Sequence, residues 1–255
     1  MLLMCHLFIG LVIGLLIFRY LRDRRAIVLA GLGAILPDLI DKPLGHILLN
    51  SSIDFGRIYA HSGLFFIAIL VLAIAYRKRK GTWLLMALAA GVLSHLVLDS
   101  MWELPVTLFY PFLGDFGQHY FPNYVVESLA KELESVYEWV FGVSALSILL
   151  YTYRDRLGGL RDAATRFLPR MVKNLTTLLV ILGIVAIAYA AMSLRNPFSG
   201  ETDAGQNLFI GLAALVGGLI ANRIWTPVSR QLDEALALDQ RSYKNREEVW
   251  NNEEI

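Results

Sequence analysis

Seven apolar segments constrain this chain more than any other feature of its sequence. Several of them are close to the roughly 20 residues that a helix needs to cross a bilayer. The chain is 56% hydrophobic and only 18% charged, which excludes an ordinary soluble domain. The sequence therefore predicts an all-α, polytopic integral membrane protein with about seven transmembrane helices. The segments are residues 2–18, 26–40, 60–76, 82–101, 136–153, 175–194 and 206–225.

Basic residues are distributed unevenly among the connections between these segments. Most Lys and Arg residues follow the first, third, fifth and seventh segments, and the other connections hold only Lys42, Arg57, Lys131 and Arg195. The positive-inside rule then predicts that the N-terminus lies outside and the C-terminus inside. A net charge of +1 with no basic face argues against nucleic acid as a partner.

Composition also predicts an order of parts along the chain. Residues 1–153 carry nearly all the ionisable groups that lie within apolar segments. Residues 154–173 interleave arginines with apolar residues, as expected of a cytoplasmic interfacial helix. Residues 174–225 read as a structural transmembrane hairpin. Residues 226–255 form a charged cytoplasmic tail, with a helix predicted to begin at Thr226 and Pro227.

Histidines and aspartates gather at the predicted outer ends of the first four helices. His95 and Asp99 are four residues apart, so they project from one face of a helix. Asp38 and Asp41 follow Pro37, which is predicted to break its helix and leave both carboxylates at a turn near the surface. The full set is His6, Asp38, Asp41, His61, His95 and Asp99.

A divalent metal ion would explain this convergence. An Asp at the centre of a transmembrane helix costs about 2.5 to 3.5 kcal/mol on insertion scales, so such residues are functional candidates. Two carboxylates in a confined site repel each other unless a cation lies between them. The single cysteine, Cys5, cannot build a thiolate zinc site within one chain, so the ligands must be His and carboxylates. Zinc is favoured and manganese is the other candidate.

Each candidate also has a structural explanation when it is taken alone. His6 would be an interhelical hydrogen-bonding residue, His61 an interfacial cap and the two aspartates after Pro37 turn residues. Their convergence on one side favours a joint site. The sequence further predicts surface positions for His46 and His119 and an interfacial hydrogen bond for Glu138.

At these residues the chain resembles the YdjM-like, LexA-regulated inner-membrane family, which is described as membrane-bound metal-dependent hydrolases. The resemblance covers roughly residues 1–153. The order His, Asp, His, then His-x-x-x-Asp is also similar, more remotely, to the zinc-dependent phospholipase C and P1 nuclease group, whose metals cleave phosphodiesters. The Asp-His pair usual in the second segment is absent, because Lys42 and Pro43 follow Asp41. The motifs are HLFIG at 6–10, LPDLID at 36–41, RIYAHS at 57–62 and HLVLDS at 95–100.

The resemblance implies a multi-pass inner-membrane hydrolase with an extracytoplasmic site, acting on a phosphoester of a lipid or lipid-linked substrate. Asp38 would bridge metals or act as the base for the attacking water, Asp41 would support the ligands, and Arg57 would orient a phosphate; these three are the predicted catalytic residues. A cation or metal transporter and a non-catalytic membrane scaffold are the alternatives. The predicted metal ligands are His6, Asp38, His61, His95 and Asp99.

Overall fold

The computed structural model describes residues 3–121, 123–194 and 204–253, and these residues contain nine α-helices and no strand. All seven predicted apolar segments lie mainly within helices. A short π-helical turn, Leu44–Leu48, follows the second helix. The helices are α1 (Leu3–Leu21), α2 (Arg25–Pro43), α3 (Gly63–Lys80), α4 (Leu84–Leu98), α5 (Pro105–Leu108), α6 (Tyr124–Glu134), α7 (Val136–Thr152), α8 (Arg161–Leu194) and α9 (Ala204–Glu253).

Fewer helices can cross a membrane than the predicted seven. Within the described ranges, three stretches are long and apolar enough: Leu3–Leu21, Gly158–Met192 and Asn207–Leu238. A fourth exists if α6 and α7, which meet at an 80° bend, count as one span. The prediction was wrong in number because α2 carries charged residues in its last turns, α3 ends in four basic residues, and α4 has only 15 residues.

The second helix corrects another prediction. Helix α2 continues through Pro37 and ends at Pro43, so the proline does not break it. Asp38 and Asp41 are buried instead of lying at a surface turn. The prediction failed because both carboxylates find cationic or N–H partners inside the protein, which offsets the cost of burying them.

Glycines bring α1, α2 and α4 into backbone contact. A β-carbon on Gly33 of α2 would lie 2.1 Å from the carbonyl oxygen of Leu88, and one on Gly91 of α4 would lie 2.2 Å from that of Ala30. On α1, a β-carbon at Gly10 would lie 2.7 Å from the same Ala30 oxygen. These three helices, which carry His6, the two aspartates of α2 and His95, are therefore held at a fixed close spacing.

Glu138 of α7 caps the N-terminal end of α1. Its carboxylate accepts hydrogen bonds from the backbone N–H groups of Met4 and Cys5, at 2.7 and 3.2 Å. These N–H groups have no partner within the helix, and a negative charge there also interacts favourably with the helix dipole. Glu138 thus has the hydrogen-bonding role expected of it, and its hydrogen bonds connect the seventh helix to the first.

The last two long helices, α8 and α9, pack against each other, and α9 also packs against α1. A β-carbon on Gly183 of α8 would lie 2.5 Å from the backbone nitrogen of Leu215 in α9, so these helices also touch closely. Helix α9 runs through Pro227 without a break, which corrects the predicted helix start at Thr226. Helix α8 begins at Arg161 and runs through Pro169, so the predicted boundary between 173 and 174 falls inside it.

Candidate metal centre

Residues from α2, α4 and the segment before α3 converge at one buried point. His61 precedes α3, and Asp99 follows the last residue of α4. Each offers a nitrogen or carboxylate oxygen, and the four atoms lie within 4.8 Å of one another. All four residues are buried. A carboxylate without a neutralising partner costs the most free energy in such a buried position. This four-residue cluster consists of Asp38, His61, His95 and Asp99.

Asp41 fixes the orientation of His61. Its carboxylate accepts hydrogen bonds from the backbone N–H groups of Ile58, Ala60 and His61, at 2.9 to 3.0 Å. The Nδ1 atom of the His61 ring lies 2.8 Å from the same carboxylate. Because the carboxylate accepts, Nδ1 carries the proton, and the Nε2 atom of a neutral His61 ring presents a lone pair.

His95 is held in the same way by a backbone carbonyl. Its Nδ1 atom lies 2.6 Å from the carbonyl oxygen of Ala34, which can only accept, so Nε2 of a neutral ring is again bare. The two Nε2 atoms of His61 and His95 are 3.0 Å apart. Two lone pairs cannot hydrogen-bond to each other. The arrangement therefore calls for a positive charge at this position, either a proton shared by the two rings or a metal ion beside them.

Carboxylate oxygens complete the donor set. Oδ1 of Asp38 lies 3.6 Å from the Nε2 atom of His61 and 3.9 Å from that of His95. Oδ2 of Asp99 lies 3.7 and 3.9 Å from the same two nitrogens. Ligands about 2.1 Å from a tetrahedral zinc ion are roughly 3.4 Å from one another, so this spacing fits. Asp38 Oδ1 is also a buried oxygen with no hydrogen-bond partner, as expected of an atom reserved for an ion or a water.

His6 lies beside the cluster. Its Nε2 atom is 3.1 Å from Oδ1 of Asp99, and its ring stacks on that of His95 with centroids 4.1 Å apart. The structure thus places His6 against two members of the cluster. The ligand role given to His6 stays a prediction, and the observed contacts favour an orienting role.

Two cations border the carboxylates. Lys42 Nζ donates to Oδ2 of Asp38, and Arg57 Nε donates to Oδ2 of Asp99, both at 2.8 Å. The pairing of Lys42 was not predicted, although its i, i+4 spacing from Asp38 on a helix could have indicated it. Both side chains line a cavity of about 340 Å³ beside the cluster, here called the polar cavity. It is lined by Lys42, His46, Phe55, Gly56, Arg57, Asp99, Phe121, Tyr124, Ser128 and Glu132.

His46 is not the surface residue that the sequence predicted. Its side chain is 3% exposed, and its Nδ1 atom lies 2.8 Å from Oδ1 of Asp54. The ring stacks on Tyr124 with centroids 3.4 Å apart. Hydrogen bonds from the Phe121 N–H and from His46 hold the pKa of Asp54 below its usual range. His119, by contrast, is exposed as predicted, with its ring stacked on Phe55.

A family model described as YdjM inner membrane protein matches residues 1–194. The chain belongs to the YdjM inner membrane protein family. No curated protein and no solved structure matches the chain. The match runs past the predicted limit at residue 153 and includes all of α8, so the first half of the C-terminal hairpin, expected to lie outside the resemblance, belongs to the family region.

The YdjM match and the helices agree on location. Three or more apolar helices in a YdjM family member make this a multi-pass protein of the inner membrane. Among the described residues, two buried histidines and two buried aspartates form a group that could hold a metal ion.

Proposed function

We propose that this YdjM protein is a metal-dependent hydrolase that cleaves a phosphoester of a lipid or lipid-linked substrate. One observation carries the proposal: two imidazole nitrogens 3.0 Å apart are flanked by carboxylate oxygens, and one of those carboxylates, Asp99, lines a cavity together with Lys42 and Arg57. That combination of a cation site and a cationic cavity suits an anionic substrate.

In this proposal three residues hold the ion. His61, His95 and Asp99 form a His2Asp set, and catalytic zinc sites commonly use three protein ligands and leave a further position open. Bound there, zinc or manganese would supply a water molecule of lowered pKa and would polarise a phosphoryl oxygen. Asp41 and His6 hold the His61 ring and the Asp99 carboxylate in place, as supporting residues do around metal ligands.

Asp38 is the proposed base. Its Oδ1 atom has no hydrogen-bond partner and faces the two Nε2 atoms, so it can take a proton from a water in the open position. Its Oδ2 atom is held by Lys42, which keeps the carboxylate aimed at the cluster. The alternative is that Asp38 is a fourth ligand, and its substitution distinguishes the two roles, as described below.

Charge favours a phosphate as the reacting group. Asp38, Asp41 and Asp99 contribute three negative charges, and Lys42 and Arg57 contribute two positive ones. A divalent ion would turn the net charge of the site from −1 to +1, which attracts an anion. The Arg57 side chain is 36% exposed, so part of its planar guanidinium is free to meet two phosphate oxygens from within the polar cavity.

Location favours a lipid as the substrate. The polar cavity is bordered by α6, an amphipathic helix that meets the apolar helix α7 at 80°. A site at such a boundary is at the level of lipid headgroups. From the distribution of basic residues we further propose that the site faces the extracytoplasmic side, that residues 1–153 form the hydrolase unit, and that 154–173, 174–225 and 226–255 serve as interfacial segment, hairpin and tail.

Elemental analysis of the detergent-purified protein tests the proposal. We expect about one equivalent of zinc or manganese in the wild type and its loss in His95→Asn and Asp99→Asn. The matched control is His119→Asn, because this exposed imidazole lies outside the cluster. Circular dichroism confirms that each variant is folded.

The same samples are then incubated with phospholipids and with lipid diphosphates. The measurement is the release of the phosphorylated or dephosphorylated product. We expect release by the wild type and by His119→Asn only. A folded wild type without metal, even after reconstitution with zinc or manganese, would contradict the hydrolase proposal and favour a scaffold. Bound metal that crosses proteoliposome membranes without any hydrolysis would favour a transporter.

A further inference from the structure

A second His–Asp pair, His46 and Asp54, lies in a different part of the chain, and its histidine lines the polar cavity together with Asp99 of the four-residue cluster. His46 lies in the π-helical turn after α2, and Asp54 lies in the loop that leads to Arg57. The Nδ1 atom of His46 donates to Oδ1 of Asp54, and Oδ2 of Asp54 accepts from the Phe121 N–H at 2.6 Å. The ring also stacks on Tyr124, so two contacts fix the orientation of His46.

This orientation leaves the other ring nitrogen available. Since Nδ1 is occupied by Asp54, Nε2 of His46 is the atom that can exchange a proton. It faces Gly56, where a β-carbon would lie only 2.7 Å from Nε2 and 3.4 Å from Cγ of Lys42. Glycine thus keeps open the space between His46 and Lys42, whose ammonium group binds Asp38.

We infer that His46, oriented by Asp54, protonates the leaving-group oxygen of the phosphoester. The inference rests on the proposed hydrolase function and adds a catalytic residue that lines the polar cavity beside Arg57 and Asp99. A buried imidazole held by a carboxylate and facing a reaction cavity is a common arrangement for a general acid.

The step balances in atoms and charge. The oxygen of a water bonds to phosphorus while one of its protons passes to Asp38. The bond between phosphorus and the leaving oxygen breaks, and the electron pair left on that oxygen takes the Nε2 proton of His46. Asp38 then releases one proton to solvent and His46 takes one up, so both residues return to their starting states.

Leaving-group dependence tests this role. Two esters of the same lipid phosphate are compared, one with a 4-nitrophenyl leaving group, which departs without a proton, and one with a hexyl leaving group, which needs one. For His46→Asn, whose amide can still donate to Asp54, we expect a loss in kcat of about 100-fold or more on the hexyl ester and less than about tenfold on the nitrophenyl ester.

Two further variants accompany this comparison. His119→Asn is the matched control, since it removes an imidazole outside the polar cavity, and both of its rates should stay near the wild-type values. Asp54→Asn should show the same leaving-group dependence as His46→Asn with a smaller loss, because Asp54 acts only by positioning the ring. Metal content should be unchanged in all three variants, since none of these residues belongs to the cluster.

The outcomes separate the inference from the proposed function. If the wild type with zinc or manganese cleaves neither ester, the hydrolase function fails and the role of His46 fails with it. If the wild type cleaves both esters and His46→Asn loses the same factor on each, the hydrolase function stands and the general-acid role is overturned, leaving His46 as a residue that only packs the cavity wall.

Nitrogen NMR supplies a readout that does not depend on turnover. In protein labelled with 15N at its five histidines, the signals absent from His46→Asn identify the His46 ring. Addition of inorganic phosphate should shift the His46 Nε2 signal and leave the His119 signals in place. A His46 signal that stays fixed while phosphate binds would contradict contact between His46 and the phosphoester.

Discussion

The two oxygens of Asp38 have different surroundings, and that difference assigns their roles. Oδ2 is paired with Lys42, whereas Oδ1 is buried without a hydrogen-bond partner and lies 3.6 Å from Nε2 of His61. A base needs only one such oxygen, and a ligand would bind through the same atom. The two roles therefore predict different consequences for an isosteric substitution.

We expect Asp38→Asn to keep the metal and lose hydrolysis. The amide retains the shape of the carboxylate but cannot accept a proton, so kcat should fall by about 100-fold or more with metal content unchanged. Metal titration and lipid hydrolysis on the same preparation check this. Loss of the metal together with hydrolysis would make Asp38 a fourth ligand instead of the base.

Single residues show how far the sequence could predict this site. The i, i+4 spacing of His95 and Asp99 and the ordered set of His and Asp residues were enough to choose residues that the fold brings together. The role of Asp41 as acceptor for three backbone N–H groups depends on the path of residues 58–61, which no spacing encodes. The burial of His46 was missed for the same reason, since its partner Asp54 is a loop residue.

Helices α2 and α4 touch backbone to backbone at Gly33 and Gly91, and this close contact sets how precisely the cluster is built. Gly91 lies one turn before His95, and its neighbour across the contact is the Ala30 carbonyl. Any side chain at Gly91 must separate two backbones that contribute Asp38 on one side and His95 on the other.

We expect Gly91→Ala to lower the stability of the fold by about 1 to 3 kcal/mol and to reduce metal binding. The added methyl group would lie 2.2 Å from a carbonyl oxygen, so the helices must move apart and the His95 ring leaves its bond to Ala34. Thermal unfolding and metal content are the measurements. Gly117→Ala is the control, because a β-carbon there meets no atom within 4 Å.

At the level of elements, hydropathy predicted helices better than it predicted spans. Every apolar segment lies mainly within a helix, but α3 and α4 hold too many charges or too few residues to cross a bilayer as single long spans. Pro37 and Pro227 were both predicted to mark helix boundaries, but both lie inside continuous helices. Packing against neighbouring helices can keep a helix intact where the local sequence favours a break.

Across the whole molecule, a metal ion would join parts that are far apart in sequence. The cluster draws on α2, the segment before α3 and the end of α4, while His6 adds α1 through Asp99. An ion that binds only the folded arrangement stabilises it by mass action, by about 2.7 kcal/mol when free metal is 100 times the dissociation constant.

Removal of the ion should therefore destabilise the wild type. We expect addition of a chelator to lower the unfolding temperature of zinc-loaded wild type by several degrees and to leave that of His95→Asn unchanged. Differential scanning fluorimetry in detergent checks this. Equal unfolding temperatures with and without chelator, in a wild type shown to carry zinc, would mean that the ion does not bind at the cluster.

The contact between Glu138 and the first turn of α1 also determines when during synthesis this turn can be stabilised. A ribosome makes Met4 and Cys5 long before it reaches residue 138, which is 134 positions after Met4. Until α7 is synthesised, the backbone N–H groups at the start of α1 lack the carboxylate that accepts from them, and His6 lies directly after those groups in the helix. The first turn of α1, which leads into His6 beside the cluster, can therefore be completed only after α7 has been synthesised.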